Sequence, residues 1–139
     1  MIRPDVNLLV YAYNASAPQR EKAANWWREL VRSGQPIGIS SGIYSGLIWT
    51  PCGGRPLHLC GGFRRLRARV GASLCWPAPT RETYLVFRAL VEKYDVAGGA
   101  TTDALIASFA LEHKAKLASN DTDFLRFQEL RVVDPLNAA

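Results

Sequence analysis

The sequence predicts an α/β fold in which helices cover both faces of a parallel β-sheet. Short apolar segments alternate along the chain with apolar patterns of helical period and length, which is typical of parallel strands joined by helices. The 139 residues have the size of one ordinary domain, enough to bury about two-thirds of the unfolded surface. An apolar content of 48% excludes a disordered chain. We therefore expect a single domain over residues 1–139.

The first part of the chain is predicted to form a strand, two helices and a second strand. The apolar segment 2–6 predicts a short strand with Asp5 at its end, and residues 8–13 continue as a helix without an intervening Gly or Pro. Residues 18–34 predict a second helix that begins at a proline and ends at a glycine. Residues 36–39 predict the second strand. The apolar stripe of the second helix comprises Ala23, Trp26, Trp27, Leu30 and Val31. We expect both tryptophans to lie in the core rather than to stack on bases.

The last third of the chain predicts two more helices and two more strands. The third helix is broken by Gly98 and Gly99, and its apolar face comprises Tyr84, Phe87, Val91 and Tyr94. Residues 104–111 are apolar nearly all round, so this helix is predicted to be central and buried. Residues 116–119 and 131–133 predict the final strands, with a proline after the second.

The middle of the chain has a different composition. From residue 30 to residue 81 there is no Asp or Glu, although this stretch holds nine of the eleven glycines and seven arginines. Four of these arginines are Arg64, Arg65, Arg67 and Arg69. The stretch predicts either a patch that faces RNA or a solvated arginine face on a poor helix. The net charge of +5 also suits a polyanionic partner.

Cysteine and histidine usage excludes two common frameworks. The three cysteines form an odd count without CxxC spacing, and the two histidines are far apart. These residues are Cys52, Cys60, Cys75, His58 and His113. We therefore expect neither a zinc site nor a disulfide framework. The N-terminus lacks the long apolar core of a secretory signal, and no apolar run approaches the roughly 20 residues of a membrane span. A cytoplasmic protein without membrane contact is expected.

Four aspartates are the candidate functional residues. Asp5 ends one predicted strand, Asp121 and Asp123 follow another, and Asp103 begins the central helix. Taken singly, each is most simply a helix cap or a turn residue. In a parallel sheet, however, the carboxyl ends of the strands meet at one edge, where α/β folds hold ligands.

A group of converging carboxylates requires a positive charge. At about 4 Å and an effective dielectric constant near 20, each close pair repels by roughly 4 kcal/mol. Because the available donors are hard oxygens, they suit Mg²⁺ or Mn²⁺ rather than zinc. Such ions activate water and stabilise charge on a phosphodiester. The pattern therefore predicts metal-assisted phosphodiester hydrolysis.

Five motifs follow one another along the chain: DVNLLVYAYN, the WW pair, TTDALIASFALEH, LASNDTDFLRF and LRVVDPL. In their sequence and order they resemble the PIN-domain family, specifically VapC-like ribonuclease toxins of type II toxin-antitoxin systems. The resemblance covers residues 1–38 and 76–136. It implies a PIN-like three-layer α/β/α sandwich with a short, mainly parallel sheet. It also implies endoribonuclease activity on structured RNA with Mg²⁺ or Mn²⁺, a cognate VapB-like antitoxin as partner, and a homodimer.

The resemblance also assigns roles to individual residues. It places Asp5, Asp103, Asp121 and Asp123 at the family's catalytic, metal-binding positions, and Asn7, Thr101 and Asn120 at supporting polar positions. One departure concerns a glutamate that many PIN nucleases carry after the second strand, where this chain has Gly46. Some relatives also carry glycine there. Loss of this ligand would weaken metal binding or leave an enzyme with impaired activity.

Three alternatives follow from these departures. One is a catalytically impaired PIN-like protein that binds RNA or an antitoxin without cleaving. Another is a housekeeping PIN nuclease without an antitoxin, which the absence of a small reading frame immediately upstream would favour. A third alternative is a locally shifted reading frame over residues 40–75, which would explain their atypical composition. Translation of the gene's other frames tests this, because one of them must yield amphipathic sequence that contains acidic residues.

Overall fold

A computed structural model describes residues 1–39 and 78–137, together with the backbone of three short strands between them. The helices are α1 (Val6–Tyr13), α2 (Arg20–Arg32), α3 (Arg81–Tyr94) and α4 (Ala100–Glu112). A 3-10 helix spans Thr122–Arg126. The strands are β1 (Ile2–Pro4), β2 (Ile37–Gly38), β3 (Pro51–Cys52), β4 (Arg55–Pro56), β5 (Leu74–Cys75), β6 (Lys116–Ala118) and β7 (Val132–Val133).

Five of the strands form one parallel sheet in the order β5-β2-β1-β6-β7. In the centre of the sheet Ile2 lies opposite Ile37 on one side and Lys116 on the other. β3 and β4 form a separate antiparallel pair. The predicted parallel sheet is therefore confirmed. Strand β5 lies in the stretch to which the sequence patterns assigned no strand.

Helices cover both faces of the sheet, which confirms the predicted three-layer arrangement. Leu117 and Ala118 are neighbours on β6 and belong to different core clusters, because successive strand residues point to opposite faces. The cluster around Ala118 contains α1 and α2, and the cluster around Leu117 contains α3 and α4. Within each layer the two helices pack against each other. No helix among the described residues is long and apolar enough to cross a membrane.

The pair α1 and α2 is joined through Trp27. This side chain is 2% exposed, and its Nε1 donates a 3.0 Å hydrogen bond to the hydroxyl of Tyr13. Burial raises the pKa of Tyr13 to about 12. Trp26 is partly buried and packs against the same core. The core assignment of the two tryptophans is therefore confirmed, and α2 is followed by Gly34 at a φ of +69°, as its predicted stop requires.

Helix α3 exists as predicted, but the predicted buried face was wrong at its first residue. Tyr84 is 60% exposed, and the buried residues are Thr83 and Leu90. Thr83 belongs to a capping box with Thr80, whose side chain accepts from two backbone N–H groups of the first turn. The helix also ends before Gly98, at a left-handed Asp95 with φ of 49°.

Helix α4 is central, as predicted, although it is not buried on every side. Ala104, Ala107 and Ala110 are fully buried, whereas Leu105 is 40% exposed. Small residues on the inner face let the helix approach the sheet closely, and the larger Leu105 lies outward. The helix runs with its N-terminus towards the edge of the sheet where Asp5 lies, since the charge of Asp5 acts on Asp103 in its first turn.

Several sequence predictions lie outside the described residues. The arginine patch at 64–69, Gly46 and the interior of the proposed frame-shifted segment 40–75 belong to this group, as do His58 and Cys60. Of Cys52 and Cys75 only the backbone is described, in β3 and β5.

Candidate active site

Asp5 lies where β1 passes into α1. Its backbone N–H donates a 2.8 Å hydrogen bond to the carbonyl of Ala118, which continues the pairing of β1 with β6 by one residue. Asp5 occupies the N-cap position of α1 with extended backbone, yet its side chain makes no capping hydrogen bond. Only 5% of the residue is exposed. The carboxylate is thus held at the sheet edge, where the backbone N–H groups of Val6 and Asn7 lower its pKa.

Ser119 connects Asp5 to the loop after β6. The buried Ser119 hydroxyl donates a 2.8 Å hydrogen bond to Oδ2 of Asp5, and its oxygen accepts from the backbone N–H of Asp121 at 3.1 Å. Burial raises the pKa of Asp5, as does the charge of Asp121, and the hydrogen bond from Ser119 acts in the opposite direction. One hydroxyl therefore sets the relative position of two candidate carboxylates.

Asp121 and Asp123 are organised by the 3-10 helix that starts between them. Asp121 is its N-cap, and Oδ1 of Asp121 accepts a 2.9 Å hydrogen bond from the backbone N–H of Asp123. Arg126, at the end of the same helix, lies with Nη2 3.9 Å from Oδ1 of Asp123. The sequence patterns predicted this Asp pair in a loop and did not predict the helix. The side chain of Asp121 is partly exposed, and that of Asp123 is largely exposed.

Asp103 reaches the same edge from the opposite direction, in the first turn of α4. Partial burial raises its pKa, and so do the negative charges of Asp121, Asp123 and Asp5, while Arg126 lowers it. Four acidic residues from three parts of the chain therefore act on one another electrostatically. This is the arrangement that parallel sheet geometry predicted for them.

These carboxylates share an edge without forming a closed cage. Among residues 1–39 and 78–137, no group of three or more His, Cys, Asp or Glu side chains has the spacing of a metal-binding set. The donor chemistry nevertheless fits a hard divalent cation that keeps several of its waters.

The three supporting polar residues lie around this edge. Asn7 is exposed on the first turn of α1, and its backbone N–H lowers the pKa of Asp5. Thr101 is exposed on the first turn of α4. Asn120 lies between Ser119 and Asp121 and lines a cavity of about 130 Å³. The other lining residues of this cavity are Ser119, Asp121, Thr122, Leu125, Val132 and Asp134.

Two residues of the site were not predicted from the sequence as part of it. Ser119 was assigned only to the end of a strand, and Arg126 was not singled out. A small hydroxyl residue directly after a strand and next to an Asn-Asp turn is a signal that favours a positioning role. For Arg126 the only local signal is its spacing of three residues from Asp123, which places the two on one side of a short helix.

The chain is similar over nearly its whole length to known proteins. The sequence model of the PIN domain matches residues 2–130. Ribonuclease VapC33 of Mycobacterium tuberculosis is 31% identical over 98% of this chain and 99% of its own. Ribonuclease VapC43 of the same species is 30% identical over 99% of this chain and 97% of its own.

The fold comparison gives the same result. A toxin-antitoxin complex from Klebsiella pneumoniae contains a chain that superposes with a TM-score of 0.65 at 18% identity, covering 97% of this chain and 98% of that one. At this identity the match establishes the fold alone. The match of the PIN sequence model to nearly the whole chain, the relatives at 30% identity or more, and the parallel five-stranded sheet lead to one assignment: this chain belongs to the PIN domain family.

Proposed function

We propose that this chain is the toxin of a toxin-antitoxin pair and acts as a metal-dependent endoribonuclease on structured RNA. The observation that carries the proposal is the electrostatic group at the carboxyl edge, where burial and neighbouring carboxylates raise the pKa of both Asp5 and Asp103. Relatives with near-complete coverage are named ribonucleases, which supports the reaction class. Dependence on a divalent metal is general for this family.

Asp5, Asp103, Asp121 and Asp123 are the residues that would hold Mg²⁺ or Mn²⁺. When bound, such an ion supplies an activated water and stabilises negative charge on the phosphodiester. The buried Asp5, fixed by Ser119, gives the site a rigid ligand. Asp121 and Asp123 lie on the 3-10 helix and its cap, and Asp103 closes the group from α4. Carboxylates of this kind keep the affinity moderate and the coordination incomplete, which leaves positions for water and phosphate oxygens.

The supporting polar residues have free side chains for this chemistry. Among the described residues, the side chains of Asn7, Thr101 and Asn120 make no hydrogen bond. Their amide and hydroxyl groups are therefore available to orient metal-bound water or to contact the ribose and phosphate of RNA. The chain's net charge of +5 favours association with that polyanion.

The same proposal includes protein partners. A solved neighbour of the same fold is a toxin-antitoxin complex, which supports a cognate VapB-like antitoxin that covers the acidic edge. We also propose that the chain functions as a homodimer, as a single domain over residues 1–139, and in the cytoplasm. Light scattering measures the mass of the purified chain with and without a co-expressed antitoxin. This measurement tests both the antitoxin complex and the homodimer.

The direct test is cleavage of total RNA by the purified chain with Mg²⁺ or Mn²⁺, with cut sites mapped by sequencing. Asp5→Asn and Asp103→Asn are expected to abolish cleavage, because each removes one anionic ligand while nearly preserving shape. Glu92→Gln is the matched control, since Glu92 is an exposed carboxylate that pairs with Arg88 on α3. Activity that survives both aspartate substitutions would rule out the carboxylate-metal mechanism.

A second candidate function is a catalytically impaired PIN-like protein that binds RNA or antitoxin. One observation favours it, because the described carboxylates do not form a closed cage. The resemblance to PIN nucleases also implies a glutamate where this chain has Gly46. The two candidates differ in single-turnover assays at saturating Mn²⁺. An impaired protein binds RNA oligonucleotides and leaves them intact, whereas an active one cleaves them at defined positions.

A further inference from the structure

Arg126 has an arrangement that its local ion pair does not explain. The 3-10 helix ends at this residue, and its Nε donates a 3.0 Å hydrogen bond to the backbone carbonyl of Asp123. This bond fixes the plane of the guanidinium beside the acidic edge. The nearest carboxylate contact, from Nη2 to Oδ1 of Asp123, is 3.9 Å, which is too long for a hydrogen bond.

The terminal nitrogens of Arg126 are therefore held in place and unused. Among the described residues, neither Nη1 nor Nη2 has a hydrogen-bond acceptor, and 39% of the side chain is exposed. A guanidinium whose only role was to pair with Asp123 would approach that carboxylate at about 2.7–2.9 Å. An exposed pair three residues apart on one turn contributes only a few tenths of a kcal/mol.

The guanidinium of Arg126 lies beside the candidate carboxylates. Its Nη2 is 3.9 Å from Oδ1 of Asp123. The backbone N–H of Asp123 donates to Oδ1 of Asp121, and the backbone N–H of Asp121 donates to the Ser119 hydroxyl that holds Asp5.

We propose that Nη1 and Nη2 of Arg126 bind the non-bridging oxygens of an RNA phosphate at the metal site. This inference rests on the proposed ribonuclease function and adds a substrate-binding residue to it. A planar guanidinium with two parallel donors matches a phosphate better than any other side chain. A divalent cation held by the aspartates would offset their negative charge, so the positive charge of Arg126 would be available to an RNA phosphate.

Two measurements test the assignment. With Ca²⁺ in place of Mg²⁺, binding of a fluorescent single-stranded RNA oligonucleotide is measured over a range of salt concentrations. Arg126→Met keeps the aliphatic stem and removes the charge, so the slope of log K against log salt should become shallower by about 0.7, which corresponds to one lost phosphate contact. In Mn²⁺, kcat/KM for RNA should fall roughly 10- to 100-fold, as expected when a charge-assisted contact is lost.

The controls separate substrate contact from a structural role. Arg126→Lys should retain the salt slope and lose part of kcat/KM, because a point charge replaces the fork. Arg88→Met removes a matched arginine, whose Nε bonds Glu92 on α3, and should leave slope and kcat/KM unchanged. Circular dichroism and the melting temperature establish that each variant is folded.

The outcomes distinguish this inference from the broader proposal. A salt slope that is unchanged in Arg126→Met overturns the phosphate contact, even where kcat/KM falls. A wild-type protein that fails to cleave any RNA overturns the ribonuclease proposal instead. In that case a shallower slope for Arg126→Met still supports the contact, because the binding measurement does not depend on cleavage.

Discussion

The Oγ of Ser119 donates a 2.8 Å hydrogen bond to Oδ2 of Asp5, and this bond ties the ends of two adjacent parallel strands together at the acidic edge. Both residues are buried. The bond lowers the pKa of Asp5 and favours its charged form, whereas burial raises this pKa. Ser119 therefore controls both the position and the ionisation of a candidate ligand.

Replacing Ser119 by alanine should weaken metal binding without unfolding the protein. The loss of the hydrogen bond raises the pKa of Asp5 further and frees the Asp121 N–H, so we expect a roughly 3- to 10-fold weaker Mn²⁺ affinity, the equivalent of about 1 kcal/mol. Titration calorimetry measures the affinity, and the acid limb of the cleavage profile should move to higher pH.

Ser108→Ala is the matched control for this prediction. Ser108 is equally buried, and its Oγ donates to the carbonyl of Leu105 within α4. Its substitution should leave Mn²⁺ affinity unchanged. Equal losses in both variants would mean that Ser119 acts through general packing and not through Asp5.

Tyr94→Phe should loosen the 3-10 helix that carries Asp123. The Tyr94 hydroxyl donates to Oε2 of Glu129 at 2.6 Å and accepts from the backbone N–H of Gln128 at 3.1 Å, which fastens α3 to the chain directly after this helix. Removing it should lower stability by about 1 kcal/mol. Amide hydrogen exchange should accelerate most at residues 124–130.

The same bonds give this prediction a pH dependence. Hydrogen bonds from Lys93 and Tyr94 lower the pKa of Glu129 to about 2, below its usual 4.5. Their contribution is therefore present above pH 4.5 and is lost as pH falls towards 2, so wild type and Tyr94→Phe should converge in stability across that range. Tyr84→Phe is the control, because Tyr84 is 60% exposed on the same helix. An exchange pattern shared by both variants would contradict the fastening role.

The sequence was sufficient to predict which carboxylates share one edge of the sheet. Strands that alternate with helices predict a parallel sheet, and the ends of such strands share an edge. This reasoning placed Asp5 and Asp121 together, although they are more than a hundred residues apart. The prediction depended only on the order of the strands and helices. Errors of one or two residues in their predicted boundaries did not affect it.

Local periodicity failed where neighbouring apolar residues compete for one face. In α3 the run from Tyr84 to Phe87 is apolar throughout, so spacing alone did not decide which residues point inward. The contact of α3 with α4 decides it, and Thr83 is buried because its hydroxyl bonds Glu112 across that contact. The contact between Ser119 and Asp5 was likewise not predicted, since it depends on the distance between two strand ends that are far apart in sequence.

Asp103→Asn should stabilise the metal-free protein while removing activity. Burial and neighbouring carboxylates raise the pKa of Asp103 above 3.8, so the folded state binds more protons than the unfolded state between pH 3.8 and the raised value. Stability from this group therefore falls as pH rises through that window. At pH 7 the substitution removes the unfavourable charge, so the melting temperature of the metal-free protein should rise.

Divalent metal provides the counter-test. Mn²⁺ should stabilise wild type in proportion to its binding and should stabilise Asp103→Asn much less. Glu92→Gln, which alters an exposed ion pair on α3, should respond to Mn²⁺ as wild type does. A metal-free Asp103→Asn that melts below wild type would contradict the repulsion argument.

The last prediction concerns Arg3, a charged residue in the core. Arg3 is 0% exposed on β1, and among the described residues its guanidinium nitrogens have no hydrogen-bond partner. Its charge lies 5.0 Å from the centre of the Phe109 ring. The undescribed middle of the chain contains no Asp or Glu that could pair with it. Burial lowers the pKa of Arg3 to about 10, so the group stays charged at neutral pH.

Arg3→Met should therefore raise stability, by about 1–2 kcal/mol, because an apolar side chain of similar length replaces a buried charge whose burial the charge of Glu112 offsets only in part. The folded pKa of Arg3 lies below its ordinary value, so the unfavourable contribution is complete below pH 10 and disappears only as pH rises from 10 through the ordinary pKa of arginine. The gain should thus be constant between pH 6 and pH 9 in urea denaturation. Arg3→Ala, which leaves a cavity, should lose stability. The contrary outcome is that Arg3→Met destabilises the fold as much as Arg3→Ala does. The guanidinium would then make hydrogen bonds that methionine cannot make, and β1 would require the charge.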